Sequence, residues 1–344
     1  MDSLFTRATT AGLLTLWAAL AAADDTVLLA PAKPGGAKVS RTGKIVDYTG
    51  QELRLEIVGG RVEAISAERV REVRTEYSSA FLAAEKALAE NRLEEAVAGF
   101  RAARQEERRI WVQRRITAEL VALYAEIGQV GTAGDEFLQL VASDPDTIHF
   151  DVIPLPYKTR PLDAAGEAKA RAWLRNDASP VARLLGAAWL LPSVDRAVAL
   201  QTLDKLTNES DPRIAAAADW QLWRTKLVTA RPQDALDRKS RFEKLPEGLR
   251  PTCAYILGET LARVNDAEGA VAAFLQPPIL YPRQRALAAD ALLAAGRQLE
   301  KMGRIEQAAG LFGEIVARFP ASEAAGEAKA RLAAHSSAGS KETP

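Results

Sequence analysis

The sequence predicts a mainly α-helical chain, an array of about 13–14 helices behind a small antiparallel β module. Three observations predict it. Hydrophobic residues make up 48% of the 344 positions but aromatics only 6%, so alanine and leucine carry most of the apolar mass, as in closely packed helices. The apolar spacing has period two from about Lys44 and becomes helical after residue 76. In the helical part, a small residue followed four positions later by an aromatic recurs in one register. Charge narrows the function: 45 basic and 45 acidic residues give a net charge of zero, with no basic stripe to hold nucleic acid or an anionic membrane. The single cysteine, Cys253, and the two histidines, His149 and His335, leave no disulfide framework and little histidine-based chemistry.

Residues 1–23 read as a cleaved secretory signal. Arg7 ends a weakly positive start, Ala8–Leu20 is apolar but short for a membrane span, and Ala21-Ala22-Ala23 fits small-residue cleavage before Asp24. The expected location is periplasmic or extracellular, with no stable membrane insertion after cleavage; an uncleaved N-terminal membrane anchor is the alternative. Intact-mass measurement of the exported protein is expected to start at Asp24, and retention of residues 1–23 would mean a membrane-anchored protein.

Residues 24–43, with Pro31, Pro34, Gly35 and Gly36, read as a flexible linker. Residues 44–76 read as a four-stranded antiparallel module. Lys44–Tyr48 leads to a turn at Thr49-Gly50, and Glu52–Ile57 alternates cleanly, with Leu53, Leu55 and Ile57 on one face. Gly59-Gly60 turns the chain into Arg61–Ile65, and Val70–Thr75 is the fourth strand. So small a unit buries little by itself and is expected to pack on the helices that follow. It resembles the SH3-like or Sm-like barrels that precede helical regions in some exported bacterial proteins.

Four segments then share one register. Tyr77–Arg108 carries Ala96-x3-Phe100, Arg114–Pro145 carries Ala133-x3-Phe137, Pro251–Pro282 carries Gly258 and Ala270-x3-Phe274, and Ala289–Pro320 carries Gly296 and Ala308-x3-Phe312. These motifs resemble the tetratricopeptide repeat (TPR) family over residues 77–334. That resemblance implies a TPR-type right-handed helical solenoid. In it, two antiparallel helices meet at the small residues, the aromatic fills the gap toward the next repeat, and proline ends the second helix. Residues 77–145 would form two repeats, 162–247 divergent helical hairpins, and 251–334 the C-terminal repeats with a capping helix. Ala165–Arg171 recurs as Ala325–Arg331; counted from the closing prolines Pro145 and Pro320, this duplication isolates an insertion at 146–161. Residues 335–344 read as a disordered tail.

The resemblance implies a non-catalytic scaffold that binds another protein or peptide on its concave face, lined by Phe81, Glu85, Arg115, Tyr255, Glu259, Arg297 and Glu300. An exported protein of this kind would serve assembly or maintenance of the bacterial cell envelope. No cofactor and no metal is expected: Asp146, His149 and Asp151 make too sparse a ligand set, Cys253 reads as core, and Gly128-x2-Gly131-x2-Gly134 lacks the strand of a phosphate loop. The alternative function is an enzyme or binding protein acting on envelope polysaccharide in a groove lined by Trp173, Trp189, Trp220 and Trp223. A third reading is self-association through the ends of the array. The insertion is the remaining candidate. It holds three prolines yet carries Phe150, Ile153, Leu155 and Tyr157, too apolar to stay solvated, so it should run extended against the array. It either shapes the partner site in the groove or straps the divergent hairpins together.

Overall fold

The computed structural model describes residues 24–31, 37, 39–281 and 284–339. The expected signal at 1–23, positions 32–36 and 38 of the expected linker, the closing Pro282 and positions 340–344 of the tail lie outside the described residues. The chain is mainly helical, with a five-stranded antiparallel sheet at its N-terminal end.

The strands are β1 (Asp25–Leu29), β2 (Val39–Tyr48), β3 (Glu52–Glu56), β4 (Val62–Ser66) and β5 (Val70–Arg74), in the order β4-β3-β2-β1-β5. The expected flexible linker 24–43 is therefore corrected at both ends. Asp25–Leu29 is a strand that buries Asp25, Val27 and Leu29 on one face, and β2 begins five residues before Lys44. The extra strand is needed because β5 pairs with β1 and not with β4; without it the last strand would have no neighbour. Asp25 secures it: its carboxylate accepts the Ile45 N–H at 2.7 Å and the Thr75 hydroxyl. β2 pairs with β1 up to Gly43 and with β3 from Lys44. At that crossover a Cβ on Gly43 would lie 2.4 Å from the Glu56 carbonyl oxygen, so the two backbones approach as only glycine allows. The inward residues Val27, Ile45, Leu53, Leu55 and Ile65 share one core with Phe81, Phe100, Trp111 and Leu120 of the first helices, as a sheet too small to stand alone requires.

The helices follow as α1 (Ser79–Ala89), α2 (Leu93–Glu106), α3 (Ile110–Glu126), α4 (Val130–Ser143), α5 (Ala164–Leu174), α6 (Pro180–Leu190), α7 (Arg196–Leu206), α8 (Pro212–Thr225), α9 (Pro232–Glu243), α10 (Arg250–Arg263), α11 (Ala267–Phe274), the short α12 (Gln276–Leu280), α13 (Arg285–Lys301), α14 (Ile305–Arg318) and α15 (Glu323–Gly339). Local chemistry starts several of them. Ser78, Asp163, Ser179 and Asp266 cap by accepting an N–H of the first turn, and Pro180, Pro212 and Pro232 sit where a missing N–H costs nothing.

The four segments in register prove to be one structural unit. Helix pairs α1/α2, α3/α4, α10/α11 and α13/α14 are each joined through a left-handed residue: Asn91, Gly128, Asn265 or Gly303. The next residue always donates its N–H five positions back: Arg92 to Ala87, Gln129 to Tyr124, Asp266 to Leu261 and Arg304 to Leu299, at 2.8–2.9 Å. This is one Schellman closure repeated four times. The alanine and the phenylalanine of all four motifs are completely buried. The aromatic presses on its own hairpin as well as toward the next: a Cβ on Gly258 would lie 2.6 Å from the Phe274 ring, and one on Gly296 2.4 Å from Phe312.

The array curls back on itself. Arg285 at the start of α13 pairs with Glu126 at the end of α3 at 3.2 Å and donates to the Asn91 side chain in the α1–α2 turn. The expected tail is corrected at its start, because α15 runs to Gly339. Arg331 and His335, one turn apart on α15, both reach Glu300 of α13 and hold the helix down.

Candidate functional site

Residues 146–161 cross the inside of the curl, and their two limbs have different surroundings. The first limb is core. Thr147, Phe150, Val152, Ile153 and Leu155 are buried, and Phe150 meets Phe137 edge-on at 5.6 Å while Arg213 lies over its ring at 4.5 Å. A short 3-10 turn at Phe150–Val152 interrupts the expected extended run. Prolines then hold the chain open, and its carbonyls become acceptors for buried donors: Trp189 Nε1 to Pro154 at 2.8 Å, Gln221 Nε2 to Pro156 at 3.1 Å and Arg224 Nη1 to Lys158 at 3.0 Å. Each of these otherwise orphaned groups would cost about 1–3 kcal/mol.

The second limb, Tyr157–Arg160, borders open space. With the ends of α3 and α13 it forms a cleft of about 110 Å³, floored by Ala122, Ala125, Ile153, Leu155, Ala286 and Leu287. Its rim is charged: Glu126 with Arg285 on one side, Lys158 and Arg160 on the other. Two further cavities share these walls, one of about 320 Å³ against Glu85, Glu119 and Glu126, and one of about 460 Å³ against Tyr157, Lys158, Asp290 and Glu323. Tyr157 donates its hydroxyl to Asp290 at 2.6 Å, and Lys158 reaches the same carboxylate at 2.6 Å. Burial and that carboxylate push the Tyr157 hydroxyl well above its usual range. Arg160 pairs with Glu323 at 2.5 Å, holding its carboxyl below the usual range.

Glu126 stands at the junction of all three cavities. Burial holds its carboxyl above the usual carboxylate range, with Arg285 opposing. The folded chain therefore binds this proton more tightly than the unfolded chain, and the ionised form weakens the fold as pH rises through and above the usual carboxylate range. Arg285→Met removes the opposing charge and is expected to destabilise by about 1–3 kcal/mol, with a larger deficit at pH 7 than at pH 4. Thermal melts across that range check it. A deficit independent of pH would mean that Arg285 acts through packing alone.

The seven expected concave-face residues have different surroundings. Phe81 is corrected to core: it is buried, stacked on Tyr77 at 4.1 Å and edge-on to Phe100 at 5.4 Å, because the sheet packs where an open groove was expected. Glu85 and Arg115 sit together near the N-terminal end, 3.6 Å apart, with Arg115 over the Tyr77 ring. Tyr255 lies between Tyr157 and Phe274 at 4.9 and 5.4 Å, so the insertion covers it. Burial raises the Glu259 carboxyl against the pull of Arg297 and Lys301. Arg297 and Glu300 pair with Glu327 and Arg331 of α15. The residues that do converge, Glu126, Lys158, Arg160, Arg285 and Asp290, are ordinary surface types in the sequence, and nothing in their spacing announces the cleft.

Trp173, Trp189, Trp220 and Trp223 are all buried, between 2 and 7% exposed, so they offer no stacking platform. Asp146 accepts from Gln51 at 2.7 Å and lies 3.7 Å from Arg213, while the backbone carbonyl of Asp151 accepts from Gln284 at 2.7 Å. Among the described residues no group of three or more His, Cys, Asp or Glu is placed to hold a metal ion. Cys253 is buried in the core around Trp220 and Phe274, and burial raises its thiol well above the usual range. Among the described residues no helix is long and apolar enough to cross a membrane.

No family model, no curated protein and no solved structure matches the chain.

Proposed function

We infer that the chain is an exported, non-catalytic scaffold, similar to TPR proteins, that binds another protein or peptide in the bacterial cell envelope. The observation that carries this reading is the interior cleft: an apolar floor between α3, the insertion and α13, with charges of both signs at its rim. Such a site suits an extended peptide segment, whose apolar side chain would enter the floor while its polar groups meet Glu126, Lys158, Arg160 and Arg285. The four identical hairpin closures support the repeat reading, since an array of equal units builds a long interior surface without a catalytic cluster.

The test is affinity capture by the mature protein from its own envelope fraction, read by mass spectrometry, beside an Ala286→Trp variant. Ala286 lines both the cleft and its larger neighbour, so the indole would fill the floor. The variant is expected to lose at least about tenfold of the captured partner while its melting temperature stays within a few degrees. Equal capture by both proteins would move the partner site away from the cleft.

A further inference from the structure

The second limb of the insertion also closes a separate cavity of about 50 Å³, where α6 and α8 end. Arg196, Arg224 and Thr159 line it with Leu191, Pro192 and Thr225, and no carboxylate is among the lining residues. Arg224 is 8% exposed. Its two terminal nitrogens donate to neutral carbonyls, Nη1 to Lys158 and Nη2 to Ala188 at 2.7 Å, and its buried Nε–H has no acceptor among the described residues. Arg196 is exposed and spends Nη1 on the Leu191 carbonyl at 2.9 Å. Neither arginine forms an ion pair among the described residues.

Magnitudes decide whether this positive charge is already balanced. The C-terminal ends of α6 and α8 each contribute about half a negative charge. Two guanidinium groups and the N-terminal end of α7, which begins at Arg196, outweigh that total and leave more than one positive charge over. Burial and the neighbouring Arg196 push the Arg224 guanidinium down to about 10, so it stays charged at neutral pH. A buried arginine without a carboxylate partner is an uncommon arrangement, because an unpaired charge in the interior is costly. The cavity has the room of roughly three to five water sites at 10–15 Å³ each, which is the bulk of one small oxyanion.

We propose that this cavity binds a small oxyanion, a phosphate or a carboxylate group, between Arg196 and Arg224 with the Thr159 hydroxyl as a further donor. The exposed Arg196 supplies a free edge of its fork, and Arg224 supplies fixed positive charge from below. Because Arg224 also holds the Lys158 carbonyl, a bound anion ties the second limb of the insertion to α6 and α8. The site does not depend on the identity of the protein partner.

Calorimetric titration of the full mature chain tests it, with sodium phosphate and separately with sodium acetate, in chloride buffer at constant ionic strength. Saturable one-to-one binding of at least one of the two anions is expected. Arg196→Gln should weaken it at least about tenfold, while its melting temperature in chloride falls by no more than the few degrees that loss of the bond to the Leu191 carbonyl accounts for. Phosphate stabilises most proteins by exclusion from their surface, so the affinity difference between wild type and R196Q is the readout and not the melting temperature in phosphate. Binding of phosphate alone assigns a tetrahedral anion; binding of acetate alone assigns a carboxylate, as at a peptide terminus or acidic side chain. Arg224→Lys keeps the charge but not the fork and should also weaken binding, and if it fails to fold, R196Q decides. No saturable binding of either anion up to tens of millimolar, or equal affinity in R196Q, overturns the proposal.

Discussion

Replacing residues 147–161 with a short Gly/Ser linker is expected to lower the melting temperature by roughly 10 °C or more. Phe150, Val152, Ile153 and Leu155 share a core with Leu184, Leu185, Trp189 and Leu203, and each such side chain contributes about 1.5–3 kcal/mol on burial. The linker would also strand the side chains of Trp189, Gln221 and Arg224, which donate to insertion carbonyls. At about 2–4 °C per kcal/mol, several kcal/mol is a large shift even for a chain of this size. Circular dichroism melts of the two proteins decide the matter. An unchanged melting temperature would show that the central hairpins stand without the first limb. Substituting only Lys158 and Arg160 by alanine tests the second limb separately, since both side chains are ion-paired and neither is buried.

The second large effect is expected at Gly186. A Cβ there would lie 2.4 Å from the Leu174 N, 2.5 Å from the Ala170 carbonyl oxygen and 2.8 Å from the Leu174 Cα, all backbone atoms of α5. α5 has little freedom to retreat, because Trp173 on it is seated on Gly134 of α4 and donates to Asp135 at 3.1 Å. Gly186→Val should therefore cost about 3 kcal/mol or more, at or beyond the upper end of ordinary overpacking. Gly310 is the contrasting case. It lies inside α14, exposed, with nothing within 4 Å of where an alanine methyl would sit, so Gly310→Ala should stabilise by about 0.5–1 kcal/mol. Urea denaturation of both variants would show opposite signs; a Gly186→Val variant as stable as the wild type would mean that the α5–α6 contact yields, and a destabilised Gly310→Ala would mean that its methyl does meet a neighbour.

Local signals carry far in this chain, for a definable reason. The Ala-x3-Phe motifs at Ala96, Ala133, Ala270 and Ala308 are legible because each is decided within one hairpin. The left-handed turn residue sits five positions before every one of those alanines, so turn and packing share a single register. The strand β3 is legible from alternation alone, and β4 from the Gly59-Gly60 turn that precedes it. β1 is not, because Thr26–Leu29 is a short apolar run between two aspartates and a Pro/Gly stretch. Only the pairing demands of β2 and β5, some tens of residues away, make it a strand.

The insertion divides along the same line. Its prolines and its apolar content are enough to say that it leaves the helical pattern and cannot stay in water. Which limb is core and which borders the cleft depends on donors at Trp189, Gln221 and Arg224, none of which neighbours it in sequence. Phe81 departs from expectation for a related reason: helical spacing says which side of α1 is apolar, but not that the sheet covers it. By itself, then, the sequence determined the helical class, the hairpin that recurs with one packing register and the presence of a small antiparallel sheet at the N-terminal end, all set by neighbours within about one hairpin. The tertiary structure decided the closure of the array through Glu126 and Arg285, the cleft that this closure forms, and the covering of Arg297 and Glu300 by α15. Those contacts join residues up to about two hundred positions apart, and a charged side chain on a helix surface carries no local mark of which distant element it will meet.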